Sequence, residues 1–153
     1  LAIKKFLNKY KSKIIFEPGR SIIGNTGTLI TKIIYIKKSG KKNFIILDAA
    51  MNDLMRPALY GAIHRIMPSL KNNKISNENH EFVGPICEST DSFLNLKKFQ
   101  ELRENEIVVI CDVGAYGMSL SSNYNLRPKP IELLIKGSKI KVIKKRQRHK
   151  DFI

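Results

Sequence analysis

Four short segments hold most of the side chains capable of chemistry in a chain otherwise rich in isoleucine, lysine and asparagine. Glu17-Pro18-Gly19-Arg20 sets a carboxylate and a guanidinium on either side of a turn signal. Such groups meet a ligand or each other. Asn52-Asp53-Leu54-Met55-Arg56-Pro57-Ala58-Leu59-Tyr60 spaces Arg56 and Tyr60 four apart, on one face of a helix. A planar guanidinium grips a carboxylate through two parallel hydrogen bonds, though a solvated Arg beside a core Tyr fits the same spacing. Gly84-Pro85-Ile86-Cys87-Glu88-Ser89-Thr90-Asp91 joins a thiol to two carboxylates. Cys87 is either a general acid or an inert small hydrophobe. In Gly114-Ala115-Tyr116-Gly117 a phenol stands between small residues, suited to ligand contact or to core packing. His64, His80 and His149 lie at no ligand spacing, so no metal is expected, and Cys111 within an apolar run reads as packing.

These residues must be carried by a mainly β chain with short helices. Ile3, Phe6, Leu7 and Tyr10 recur at helical spacing and predict an exposed amphipathic helix over 3–11. The apolar stub 14–16, ended by Pro18-Gly19, predicts a strand buried on both faces. Gly24-Asn25-Thr26-Gly27 marks a break, after which 28–38, 44–47, 82–87, 107–111, 131–135 and 140–143 read as strands. Helices are predicted over 53–66, bent by Pro57, and over 115–123, opened by Gly114; the Asn-rich stretch 68–80 reads as a surface loop. A strand buried on both faces needs neighbours, so residues 1–24 are expected to belong to a larger α/β body and 25–153 to a separate β domain. The alternative is that 1–24 docks on the β domain itself.

With 153 residues, 42% hydrophobic and 27% charged, the composition excludes disordered and collagen-like classes. The longest apolar run, 107–111, falls far short of the ~20 residues of a membrane-spanning helix, so no membrane partner is expected. The net charge of +15 raises nucleic acid as a partner. Yet lysines far outnumber arginines among the cations, and no zinc-finger, helix-turn-helix or RNA-recognition pattern is present. The expectation is therefore no nucleic acid, with the run 144–150 either a solvated end or a phosphate-binding tail. Two cysteines indicate a reducing compartment, and the cytoplasm is expected. The first residue is Leu1, so a fragment of a longer protein is expected.

Taken in this order and spacing, the four segments resemble the C-terminal part of the diaminopimelate decarboxylase family, pyridoxal-phosphate enzymes of the alanine racemase-like, fold type III class. The resemblance continues through Ser121-Ser122-Asn123-Tyr124-Asn125 and Arg127-Pro128. It implies a C-terminal β-barrel or sandwich domain preceded by the last helix and strand of a (β/α)₈ barrel. That barrel, a unit of ~250 residues, cannot fit in this chain. The family's Schiff-base lysine, its ring-stacking histidine and its glycine-rich phosphate loop would lie upstream of Leu1, which implies an inactive isolated chain.

The resemblance assigns Glu17, Gly19, Arg20 and Tyr116 to pyridoxal 5'-phosphate, with Glu17 facing the ring nitrogen. It assigns Arg20, Arg56, Tyr60, Glu88 and Tyr116 to the substrate, meso-diaminopimelate, with Glu88 on the distal ammonium. Cys87 matches the proton donor. The loop carrying it reaches the neighbouring subunit's site in the family, which implies a homodimer with shared sites. Ornithine, arginine and carboxynorspermidine decarboxylases are the alternatives within the superfamily.

Overall fold

A run of β-branched and aromatic residues makes β1 (Thr28–Ser39) the longest strand. A computed structural model describes residues 2–10 and 12–152. The first part of β1 pairs antiparallel with β8 (Ile107–Cys111), from Thr28 opposite Cys111 to Lys32 opposite Ile107. The rest pairs antiparallel with β2 (Lys42–Leu47), and the register shifts between Ile33 and Tyr35, where β1 changes neighbour. Such irregularities bend a strand and increase its twist, so the sheet curls about β1.

With β3 (Ile66–Pro68), β5 (Asn79–Val83) and β6 (Ser92–Leu96), the main sheet has the order β3-β8-β1-β2-β5-β6. Only β2 and β5 in it run parallel. The two-residue period of a strand sends Ile45 and Leu47 of β2, Phe82 of β5, and Val108 and Ile110 of β8 into one core with Ile33, Ile66 and Phe93. The Phe82 ring meets Phe99 edge-on at 5.3 Å. Two smaller pairs complete the β structure: β4 (Ile75–Ser76) with β7 (Phe99–Gln100), and β9 (Glu132–Lys136) with β10 (Lys139–Lys144).

The mostly β reading holds, as do the strands expected within β1, β2, β8, β9 and β10 and the first helix, α1 (Ala2–Lys9). Other expectations are corrected. The stub 14–16 is extended but unpaired, with Ile15 and Phe16 exposed; no strand among the described residues lies beside it to take its hydrogen bonds. The helix expected over 53–66 shrinks to α2 (Arg56–Tyr60). Before it, the Asp53 carboxylate accepts the Ala50 N–H at 2.9 Å and holds a turn. After it, Gly61 turns left-handed at φ +61° and its N–H closes on the Pro57 carbonyl. The helix expected over 115–123 is replaced by a turn and one 3₁₀ segment, Met118–Leu120, with a second, Tyr124–Leu126, following it. The strand expected over 82–87 stops at Val83, and the expected loop 68–80 contains β4. Both β4 and β7 are only two residues long, too short for a periodic signal. No helix among the described residues is long and apolar enough to cross a membrane.

Candidate functional site

The site begins where β8 ends. Asp112 takes φ +62°, turning the chain, and its carbonyl accepts a hydrogen bond from Arg20 Nη2 at 3.1 Å. The Val113 N–H donates to Gly27 at 3.0 Å and the Gly114 N–H to Gly24 at 2.9 Å. A Cβ on Gly114 would lie 2.1 Å from the Ile23 carbonyl oxygen, so only glycine permits this approach. The joint holds the segment bearing Arg20 against the segment bearing Tyr116.

Tyr116 itself adopts φ +58°, uncommon for a residue with a side chain. Its hydroxyl stands beside Gly19, 3.1 Å from where a Cβ would be. The Arg56 guanidinium lies 5.9 Å from the Tyr116 ring and 5.8 Å from the Tyr60 ring, within cation–π range of both. Gly19, Arg20, Arg56, Tyr60 and Tyr116 thus form one neighbourhood, assembled from three separate stretches of sequence. Glu17 lies on the exposed extended segment just before Gly19. The face is open: Tyr60 is 64% and Tyr116 47% exposed.

Two buried donors or acceptors near this face lack partners among the described residues, Arg56 Nε and His64 Nε2. The other imidazole nitrogen, Nδ1, lies 3.0 Å from the Cys111 carbonyl. A carbonyl only accepts, so Nδ1 carries the proton. Burial pushes the His64 pKa down, the Cys111 bond opposes that, and the Arg56 and Arg20 charges add to the lowering. Two guanidiniums, a phenol and the unpaired Arg56 Nε–H suit an anionic ligand, whereas His64 Nε2, without a proton, offers an acceptor.

Cys87 and Glu88 are on the exposed part of the loop 84–91. Glu88 Oε2 accepts from the Tyr124 hydroxyl at 3.2 Å, which raises the Tyr124 pKa. Among the described residues no hydrogen bond, ion pair or ring contact joins Cys87 or Glu88 to Arg20, Arg56, Tyr60 or Tyr116. Sequence reasoning missed Asp91, which closes this loop, together with His64 and Tyr124. Asp91 is the last residue of the third segment, and its distance from Gly84 was the available signal. Among the described residues no cluster of three or more His, Cys, Asp or Glu could hold a metal ion.

The chain as a whole is similar to known proteins. The chain is 42% identical over 151 residues to the diaminopimelate decarboxylase of Aquifex aeolicus, covering 99% of this chain and 36% of that protein. The structure of diaminopimelate decarboxylase from Helicobacter pylori complexed with L-lysine matches with a TM-score of 0.82 and 45% identity, covering 97% of this chain and 36% of that one. The diaminopimelate decarboxylase from M. jannaschii, in co-complex with L-lysine, matches with a TM-score of 0.86 and 34% identity over 98% of this chain and 35% of that one. The chain spans about a third of the length of the relatives it matches. Residues 14–114 match the family described as pyridoxal-dependent decarboxylase, C-terminal sheet domain, and with the curled sheet and these relatives the match establishes that the chain belongs to that family.

Proposed function

We propose that this chain is the sheet-domain part of a diaminopimelate decarboxylase, which converts meso-2,6-diaminopimelate to L-lysine and carbon dioxide in lysine biosynthesis. The observation that carries this reading is the gathering of Gly19, Arg20, Arg56, Tyr60 and Tyr116 on one face of a chain 42% identical to such an enzyme over 151 residues. On this reading residues 1–24 end a (β/α)₈ barrel and 25–153 form the sheet domain. The unpaired stub 14–16 is what a barrel strand parted from its neighbours would look like.

Pyridoxal phosphate, when bound, supplies an electron sink for the pair left by the departing carboxylate. The residues here fit an anionic cofactor: Arg20 and Arg56 carry positive charge, and Gly19 leaves the Tyr116 hydroxyl approachable. Glu17 would supply the carboxylate that keeps the cofactor's ring nitrogen protonated. Arg20, Arg56 and Tyr60 hold substrate oxygens, and Glu88, oriented by Tyr124, takes the distal ammonium. Cys87 Sγ delivers the proton that replaces carbon dioxide. No hydrogen bond, ion pair or ring contact among the described residues joins the thiol loop to the arginine group, which is compatible with a homodimer in which each loop serves the neighbouring subunit's site. Free Cys87 and Cys111 support a reducing, cytoplasmic setting.

The test uses the protein that carries this chain together with its barrel, loaded with pyridoxal phosphate and offered meso-diaminopimelate or ornithine. Lysine and carbon dioxide are the expected products. Faster turnover of ornithine overturns the substrate assignment.

A further inference from the structure

We infer that Asp91 is a positioning residue for the proton-donating thiol, locking the loop 84–91 onto the turn before α2 so that Cys87 faces outward. The inference rests on the role proposed for Cys87. Asp91 is only 2% exposed. Its Oδ1 accepts the Met51 N–H at 2.7 Å and its Oδ2 the Ile86 N–H at 2.8 Å. The two donors belong to different stretches of chain, one of them 40 residues away from Asp91. Backbone bonds close the same loop, from Gly84 N–H to Asp91 O at 2.9 Å and from Asp91 N–H to Glu88 O at 3.0 Å.

Gly84 makes room for this arrangement. A Cβ there would lie 2.2 Å from Asp91 Oδ2, so the carboxylate occupies the space that any side chain would need. Burial pushes the Asp91 pKa up while the Ile86 and Met51 N–H bonds oppose it. Holding a carboxylate in this place carries a desolvation cost that a neutral turn residue would avoid. What the carboxylate adds is two charge-assisted acceptor positions, one for each segment.

The consequence falls on Cys87. Ile86 is buried and Cys87 is exposed, so anchoring the Ile86 N–H selects which of the two neighbours points to the core. Through Met51, five residues ahead of Arg56, the same carboxylate ties the thiol loop to the turn at 50–53. The thiol and the guanidinium then share one rigid frame within each subunit, although they serve different sites in the proposed dimer.

Asp91→Asn replaces one acceptor with an amide donor facing an N–H. Gly84→Ala displaces the carboxylate without removing it and serves as the second variant where Asp91→Asn fails to fold. In the cofactor-loaded protein that includes the barrel, both are expected to lower kcat about tenfold or more and to raise KM for diaminopimelate as well, because Glu88 is carried on the same loop as Cys87 and its carbonyl is bonded by the Asp91 N–H. Amide exchange at Met51 and Ile86 is expected to accelerate about tenfold while that at Val108 and Ile110 does not. Unchanged kcat in both variants of an active protein, or exchange raised throughout the sheet, overturns the positioning role. A wild-type protein that makes no lysine instead sinks the activity reading and the positioning role with it, and exchange at Met51 and Ile86 then reports on the clamp alone.

Discussion

His64 shows how a single buried side chain couples the site to pH. Its imidazole donates from Nδ1 to the Cys111 carbonyl, and burial with two nearby arginines holds its pKa below the ordinary 6.5. Below 6.5 the unfolded chain takes up a proton that the folded one resists, so the stability His64 contributes is full above that pH and declines as pH falls through the folded value. Urea midpoints are therefore expected to drop as pH falls below 6.5. His64→Asn, which keeps a donor for the Cys111 carbonyl, is expected to flatten that slope. Asp53 and Asp91 act in the opposite sense, since burial raises both above 3.8. Their folded forms protonate first, so their contribution grows as pH falls toward 3.8 and is lost as pH rises through the raised values. In Asp53→Asn the acid limb of the stability profile is expected to steepen. Neither effect was readable from residue type, because burial creates both.

At the scale of elements, the contact of Gly114 with Ile23 and Gly27 decides whether the arginine and tyrosine segments meet. Gly114→Ala forces a Cβ into backbone and is expected to cost about 3 kcal/mol, measured by denaturant unfolding, with cation–π contact at Tyr116 lost from its fluorescence response. Phe82, fully buried in β5 against Phe99, is expected to cost about 4 kcal/mol when truncated to alanine, on the same measurement. Element identity was legible where apolar β-branched runs were long, as in β1 and β8. It failed around α2, where the spacing of Arg56 and Tyr60 was right but the helix length was not. Asp53 before it and Gly61 after it set the length through hydrogen bonds of their own.

For the whole molecule, the β9–β10 hairpin bears Leu133 and Ile135 opposite Val142 and Ile140, on one face and all substantially exposed. Four apolar side chains exposed together make a patch larger than the single exposed hydrophobics usual on folded domains. The basic run 144–150 is partly paired at the surface, Lys144 with Glu132 at 3.7 Å and Arg148 with Asp151 at 3.9 Å. Such exposed pairs contribute little to stability. The shared-site dimer makes its own prediction. Mixing inactive Cys87→Ala and Arg56→Ala forms of the barrel-containing protein under subunit exchange is expected to restore about a quarter of the wild-type rate, because half the dimers regain one intact site. No recovery in that activity assay would place the thiol and guanidinium of each site in one subunit.

The four reactive segments, their order and their family likeness were determined by the sequence alone, as were the strands whose apolar runs exceed a few residues. Those signals are local: a residue type, a spacing, a period. Tertiary structure decided what depends on partners far along the chain. It left 14–16 unpaired, set Arg56 between two tyrosines, and delivered the Asp91 carboxylate to Met51, 40 residues away. A hydrogen bond or ring contact across such separations leaves no periodic trace, because its geometry exists only once the sheet has curled and brought both ends together.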